Sequence, residues 1–459
     1  MSPRRLSQLA AATGGTLQGL DREFGRVIQD SRVLKAGELF VAIQGEHFDG
    51  HEFVPQAGKL GAAGALVQRR VESPLSQVVV PDTRRALGRY AASWRRQFAL
   101  PLVGVTGSSG KTTLKEMIAS ILRQRGATLA TRGNMNNDLG LPLTLLELDT
   151  SCRYAVIEMG TNQPGEIGYL AELAAPTVGV ITNAGPAHLE FLKDVAGVAK
   201  EKGALYTHLA PDGTAVINAD DAYASLWREM AGRRRIVSFG FSEQADFHPL
   251  PGVLEPSDGS WQFHLKCPKG EVDIRVSLPG RHNVANALAA AATAMAAGAS
   301  LEDVRTGLAQ APATAGRLIV GAGWNGCQLI DDTYNANPLS LAVAAEFAVS
   351  LGNRAWIALG DMGELGASAE RLHAESGAKL RALGVERLYA FGPMSRHAAE
   401  AFGEGARWFE ELNALTRALR AEASPDVTLL VKGSRSMRME RVVEALRAQP
   451  AGKAANGDH

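Results

Sequence analysis

The stretch VGVTGSSGKTTLKEM, residues 103–117, decides the reading of this chain. A β-branched apolar run ends in a glycine-bracketed turn, and a helix-favouring segment follows Lys111, Thr112 and Thr113. A strand that delivers such a turn to a helix N-terminus builds a phosphate cradle: glycines let backbone N–H groups point inward, and the helix end adds partial positive charge. The usual spacing, G-x-x-x-x-G-K-[ST], wants glycine where Val105 stands. The loop here is Gly107-Ser108-Ser109-Gly110-Lys111-Thr112. Two readings are open at this point, a nucleotide site with a shortened loop or a tight turn with an exposed lysine. In the first, loop amides hold the β-phosphate, Lys111 spans the β- and γ-phosphates, and the Thr112 hydroxyl ligates Mg2+.

Outward from the cradle, the chain alternates strands and helices. YAVIEMG (154–160), VGVITNAG (178–185), GTAVINAD (213–220) and RIVSFGF (235–241) are β-rich and nearly free of charge. Such strands are buried on both faces, as in a parallel sheet flanked by helices. WQFHLKC and EVDIRVSL read as an antiparallel pair at the edge of that sheet. A helix is expected from Asp82 to Phe98, and one modest helix among short strands before it. After the link AQAPATAGR (309–317) a second alternation begins, each strand ending in glycine or polar residues, which predicts a Rossmann-like unit with functional loops at strand C-termini. The expected organisation is therefore α/β in three domains. These are a small N-terminal domain at 1–82, a central P-loop parallel-sheet domain at 83–312 and a C-terminal Rossmann-like domain at 313–452. A disordered tail is expected at 453–459.

The 459 residues, 46% apolar and 21% charged, suit a globular protein of about three domains. Lys+Arg and Asp+Glu balance at 48 each, so no global field draws the chain to nucleic acid or anionic membrane. The run RRR (233–235) reads as a solvated helix end. No segment is long and apolar enough to span a bilayer, and the N-terminus lacks a signal-peptide core, which points to the cytoplasm. Cys152, Cys267 and Cys327 are scattered, without the spacing of a zinc site or disulfide framework, and read as buried small hydrophobes.

Several polar residues fall where strands of this architecture end. Glu158 closes one strand, Asn183 and Gly185 another, and His188 opens the next segment. Lys200 and Lys202 lie on a following helix. Taken singly, such an acid can be a helix cap, such a histidine a surface residue, and such lysines a solvated face. Together they bring a carboxylate, an imidazole and an amine to the sheet edge that carries the cradle, a plausible set for metal-assisted phosphoryl transfer. Asn283 and Asn286, in LPGRHNVANALAA (278–290), suit a base edge, although Asn283 serves equally as a cap. Arg317 can reach phosphates, and Asp332 can accept from ribose hydroxyls.

TGSSGKTT resembles the loop of the Mur ligases, the ATP-dependent amide-bond ligases of peptidoglycan synthesis; folylpolyglutamate synthetases share loop and fold. The segments DSRVLKAGELFVAIQGEHFDGHEFV, TRGNMNNDLGLPLTLL, EMGTNQPGEI, ITNAGPAHLEFL, DDTYNANPLS, LGDMGELG and VKGSRSMRME are similar to the branch that joins D-Ala-D-Ala to UDP-MurNAc-tripeptide. The similarity runs from about residue 30 to about residue 440. It implies ATP, two Mg2+ ions and CO2 carried as a carbamate on Lys202. It gives Gly107, Ser108, Ser109, Gly110, Lys111, Thr112 and Thr113 to the phosphates, and Thr112, Glu158, His188 and carbamylated Lys202 to the metals. Asn283 and Asn286 would face adenine, Arg317 the phosphates and Asp332 the ribose. Ser31 and Arg32 would belong to a UDP pocket, and Asn134, Asn136 and Asn137 to a muramoyl-peptide cleft. Asn335, Asn337, Lys432, Ser434 and Arg435 would lie near the reacting carboxylate or the dipeptide. The family often has an acid where Ala204 stands, which leaves Lys202 in register. A monomer acting on UDP-MurNAc-tripeptide and D-Ala-D-Ala, without nucleic acid, is implied. A sister Mur ligase or a folylpolyglutamate-type ligase would keep the ATP site and change the outer domains; DSR and YNANP disfavour both.

Overall fold

The computed structural model describes residues 4–45, 48–252 and 260–447. The tail at 453–459 and the last residues assigned to the C-terminal domain lie outside the described residues. The core of the middle region is a six-stranded sheet in the order Arg235–Phe239, Thr214–Asn218, Val178–Ile181, Leu102–Thr106, Tyr154–Glu158, Thr128–Ala130. Every pairing in it is parallel. The fully buried strands Leu102–Thr106, Tyr154–Glu158 and Val178–Ile181 explain the charge-free runs, since helices cover both faces. Register does the functional placement. Leu102–Thr106 is central, with Val105 opposite Glu158 on one side and Thr106 opposite Ile181 on the other. The cradle loop, Glu158 and the Thr182–Asn183 turn therefore leave the sheet at the same edge.

The cradle helix Lys111–Arg123 buries Leu114, Met117, Ile118, Ile121 and Leu122. It packs on the alanine-rich helix His282–Ala296 and on the helix Leu301–Ala309. Small side chains bring these helices close: a Cβ at Gly307 would sit 2.4 Å from the Ile121 Cα. The antiparallel pair Trp261–Cys267 and Gly270–Val276 forms as expected, linked to the edge strand Arg235–Phe239 through the single bridge Phe239–Phe247 rather than by continuous pairing. With His248–Pro249 it makes a separate three-stranded sheet, whose apolar face joins the core of the cradle helix. Alternation in Trp261–Cys267 is strict, buried then exposed, because only one face is covered.

Two further sheets flank this body. Towards the N-terminus five strands run in the order Thr16–Gln18, Gln77–Val79, Gly64–Val67, Leu39–Val41, Val27–Ile28, with two helices, Leu6–Thr13 and Val54–Lys59, where one was expected. Beyond the 309–317 link, six strands run in the order Ile319–Ala322, Gln328–Asp332, Val427–Lys432, Arg354–Gly360, Arg387–Phe391, Ala406–Phe409. The first of these is antiparallel and was not expected. Its residues beyond Ile319 are exposed, and the strand carries little apolar signal. The run RRR does not end a helix in solvent: Arg233 and Arg234 form a turn, Arg235 starts a strand, and Arg234 donates to the Thr207 and Leu209 carbonyls. Cys267 and Cys327 are buried, whereas Cys152 is only half-buried. No helix among the described residues is long and apolar enough to cross a membrane.

The helix Thr83–Arg95 joins the N-terminal and middle regions, and its C-terminal arginine is buried. The Arg95 guanidinium donates to the carbonyls of Ala174, Phe98 and Leu100, which end one helix and lead into the cradle strand. Arg95→Ala leaves these carbonyls unpaired and opens a void, so it is expected to cost about 3 kcal/mol of unfolding free energy. Denaturant unfolding of the purified variant checks this, and a loss well under about 1 kcal/mol would contradict it.

Candidate active site

The cradle is held by the neighbouring strand end. Ser108 N–H donates to the Asn183 carbonyl at 3.0 Å, and Ser109 N–H donates to the Asn183 side-chain oxygen at 3.1 Å. The Thr182 hydroxyl donates to the Ser109 carbonyl at 2.6 Å. Gly107 takes φ 149° with no room for a side chain, since a Cβ there would lie 1.7 Å from the Thr182 hydroxyl oxygen. Gly110 takes φ 81° as the N-cap of the helix, and a Cβ would crowd the Asn286 amide oxygen at 2.9 Å. These are the demands of a loop whose backbone approaches a ligand closely. Lys111 Nζ folds back to the Gly107 carbonyl at 2.7 Å. Burial pushes its amine down from the usual lysine range; Glu158 and Glu364 act against that shift and Arg317 with it.

Beside the loop, Glu158 is buried at the end of its strand. One carboxylate oxygen accepts from the Asn136 amide at 2.8 Å, and the other is buried with no hydrogen-bond partner. Lys202 lies on the helix Val195–Thr207 and is 1% exposed, with no hydrogen bond or ion pair among the described residues. Burial drives its amine well below the usual range, and Lys111 lowers it further. The neighbouring Glu201 does not neutralise it by contact, because that carboxylate caps the helix Glu166–Ala174 through Gly165 and Ile167 N–H. Lys200, in contrast, is exposed. His188 has a left-handed backbone, φ 55°, and its Nδ1 lies 2.5 Å from a Glu364 carboxylate oxygen of the C-terminal region. Among the described residues no group of three His, Cys, Asp or Glu side chains is arranged to hold a metal by itself.

A pocket between the middle and C-terminal sheets is lined by Ser109, Gly110, Thr113, Asn283, Asn286, Arg317, Asp332 and Lys432, all named from the sequence. The two amides are wired together, with Asn286 donating to the Asn283 oxygen at 3.0 Å and Asn283 donating to the Pro279 carbonyl at 2.7 Å. Arg317 stacks on Tyr334 and reaches the Thr112 hydroxyl at 3.4 Å, while its Nε is buried without a partner. Lys432 Nζ bonds Asp332 at 2.5 Å and the Asn335 carbonyl at 3.0 Å. Sequence reasoning missed His282, Asn218 and Phe239 in this pocket. Burial pushes the His282 imidazole down to about 4, with Lys432 adding to the effect. Its signal was its place beside Asn283 on one loop entering a helix.

The remaining sequence-named residues are more scattered. Ser31 is buried and Arg32 is exposed, its guanidinium paired to Asp30. A second cleft joins residues 26–30 and Val33 to Arg132, Met135, Leu143, Leu146 and Glu147, near Asn134, Asn136 and Asn137 in the chain; Ser31 and Arg32 adjoin it without lining it. Asn136 reaches Glu158, Asn137 accepts from Leu139 and Gly140 N–H at a helix start, and Asn134 is exposed. Asn337 caps the helix Pro338–Ser350, and Ser434 accepts from Gly363 N–H at 2.6 Å. Arg435 is exposed and pairs with Glu440 at 3.4 Å.

Family models for the Mur ligase family catalytic domain, the Mur ligase middle domain and the Mur ligase glutamate ligase domain match residues 25–95, 105–294 and 316–435. The UDP-N-acetylmuramoyl-tripeptide–D-alanyl-D-alanine ligase of Escherichia coli is 42% identical over 96% of this chain and 98% of its own length. The Bacillus subtilis enzyme of that name is 33% identical over 98% and 100%. Among solved structures, MurF from Acinetobacter baumannii superposes with a TM-score of 0.91 at 38% identity, over 97% of this chain and 98% of that one. MurF from Thermotoga maritima, solved in complex with ADP, gives 0.81 at 27% identity, over 92% and 96%. Three matched models in chain order, and relatives alike over almost the whole length, place the chain: it belongs to the Mur ligase family.

Proposed function

We propose that this chain is the ATP-dependent ligase that joins D-Ala-D-Ala to the terminal carboxylate of UDP-MurNAc-tripeptide, completing the pentapeptide precursor of peptidoglycan. Full-length similarity to ligases of that name carries the reading. The joint site of Lys111, Glu158, Lys202, Arg317 and Asp332 supports it. The division at 1–82, 83–312 and 313–452 assigns one sheet to the nucleotide sugar, one to ATP and one to the closing half of the ATP site. We assign the protein to the cytoplasm, where ATP is supplied, and to a monomeric state.

A carboxylate is a poor electrophile, so it must first be activated. A carboxylate oxygen of the tripeptide attacks the γ-phosphorus, ADP leaves, and an acyl phosphate forms. The amine of D-Ala-D-Ala then attacks the acyl carbon, phosphate leaves and the amine loses its proton. The protein's work is to align these groups and offset their charge. Lys111, released from the Gly107 carbonyl, meets the phosphates, and Arg317 approaches them from the C-terminal side beside Thr112. Asn286 offers its free amide oxygen to the adenine, and Asp332, oriented by Lys432, faces the ribose. Ser31, Arg32 and Asn134 face the UDP-sugar; Asn335, Ser434 and Arg435 border the acyl carbon. Asn137 and Asn337 act indirectly, by capping the helices beside the cleft.

The site's chemistry fits magnesium. The unpartnered Glu158 oxygen and the Thr112 hydroxyl are hard oxygen donors, and His188 stands at the same edge. Mg2+ bound there would neutralise phosphate charge during transfer. Lys202 fits a carbamate. Burial pushes its amine towards the neutral form, which adds CO2 and releases one proton to leave an anionic oxygen donor.

Ligation is tested by incubating the protein with ATP, Mg2+, UDP-MurNAc-tripeptide and D-Ala-D-Ala, following phosphate release and product mass. Pentapeptide formation dependent on every substrate is expected; phosphate release without it would refute the assignment. Lys111→Ala is expected to lower kcat by at least about 100-fold with an unchanged unfolding midpoint, the scale of one preorganised charge. Arg32→Ala should weaken UDP-MurNAc-tripeptide binding and leave ATP affinity unchanged; calorimetry giving equal losses would mean that the N-terminal role is misassigned. Lys202→Ala should be nearly inactive and regain part of its rate with added short-chain carboxylates, whereas Lys200→Ala stays active. A Lys202→Ala enzyme at wild-type rate would rule out the carbamate.

A further inference from the structure

The segment His188–Lys193 and the loop Asp361–Gly366 meet across the junction of the middle and C-terminal regions, and both are strained. His188 and Glu364 hold left-handed backbones at φ 55° and 62°. Lys193, at φ 71° and ψ −59°, is the centre of a γ-turn closed by Asp194 N–H on the Leu192 carbonyl at 2.9 Å. Non-glycine residues in such conformations are strained and persist where packing over-determines them. Packing does so here. Met362 and Leu365, on either side of Glu364, are buried in the C-terminal core. Met362 N–H donates to the buried His373 ring, and Gly363 N–H to the Ser434 hydroxyl. The loop is thus pinned on both sides of Glu364, whose side chain projects across the junction to His188.

The contact is built from both sides. Leu189, next to His188, packs against the C-terminal core cluster, and Glu190 N–H donates to the Glu364 carbonyl at 3.4 Å. The backbones touch closely, since a Cβ on Gly366 would lie 2.8 Å from the Glu190 Cα. The Glu364 oxygen is near His188 Nδ1 but off the direction of a straight hydrogen bond, and Nδ1 is otherwise buried without a partner. A histidine that ligates a metal through one ring nitrogen gives its other N–H to a carboxylate, which fixes ring orientation and tautomer.

We propose that Glu364 is a positioning residue for His188, supplied across the domain junction, so that the imidazole is oriented only when the C-terminal domain is docked. Glu364 then couples closure of the cleft to assembly of the phosphate site, and the strained backbones keep the two loops at contact distance. The inference rests on the assignment of His188 to the phosphate site, but its test does not depend on ligation.

The coupling is read by single-molecule energy transfer between dyes at the exposed positions of Glu172 and Asn413, on the full chain with Cys152→Ser. Glu364→Gln, His188→Ala and the double variant are compared without ligand. Glu364→Gln and His188→Ala are each expected to lower the closed-to-open ratio about five- to tenfold, and the double variant no further, as for a directly interacting pair. In the ligation assay Glu364→Gln should lower kcat about 10- to 100-fold, the usual effect of losing such an outer partner, while KM for UDP-MurNAc-tripeptide holds. Additive losses in the double variant, or an unchanged closed fraction in Glu364→Gln, would overturn the proposal whatever the enzyme ligates.

Discussion

Positive charge gathered in a cleft without enough negative charge to match it is the constraint around which the junction is arranged. Lys202 and Lys432 are buried and Lys111 and Arg317 half-buried. Against them stand Glu158, Asp332 and Glu364. Only Lys432 has a direct carboxylate partner among these cations. Taking an unpaired ammonium out of water costs several kcal/mol even after relaxation, so a fold keeps such groups only where something else answers them. A nucleoside triphosphate answers Lys111 and Arg317. Lys202 is a different case, because Lys111 repels its charge and the neighbouring Glu201, which acts the other way, is committed to Gly165 and Ile167 N–H. Magnesium at Glu158 would further disfavour a charged amine there, and the proposed carbamate puts an anion in its place.

The same constraint explains why so much of the local structure serves to hold backbone rather than to contact ligand. Thr182 and Asn183 fasten the cradle to its neighbouring strand, so loop amides are fixed before phosphate arrives. Asn137 and Asn337 are committed to helix starts. Ser434 steadies the loop that carries Glu364. Electrostatic stabilisation is effective only if donors need not reorganise during reaction, and these bonds meet that need.

Much of this was legible in the sequence, for identifiable reasons. Uninterrupted apolar runs such as YAVIEMG are the signature of strands covered on both faces, and they formed the parallel sheet. Lys202 also carried a signal: Val198, Ala199, Leu205 and Tyr206 share its buried face, so its helix turns the lysine inward while Lys200 faces out. The strand Ile319–Ala322 left no comparable trace, since it lies largely exposed at a sheet edge. The asparagines were ambiguous in principle, because an amide that caps a helix and one that reads a base have the same local pattern. Glu364 was beyond reach for another reason. Nothing near it in the chain shows that its loop faces His188, and only the docking of the two sheets brings the pair together.

That docking has a chemical rationale under the proposed reaction. An acyl phosphate hydrolyses if water reaches it, and a phosphate site complete in one domain would also invite ATP hydrolysis before the peptide arrives. Here the cradle, Glu158 and Lys202 belong to the middle region, while Arg317 ends the link and Asp332, Lys432 and Glu364 come from beyond it. Neither half holds both the phosphate loop and the charges that oppose it. Closure therefore excludes water and completes the electrostatics in one movement, and the strained contact between His188 and Glu364 lies where the two requirements meet.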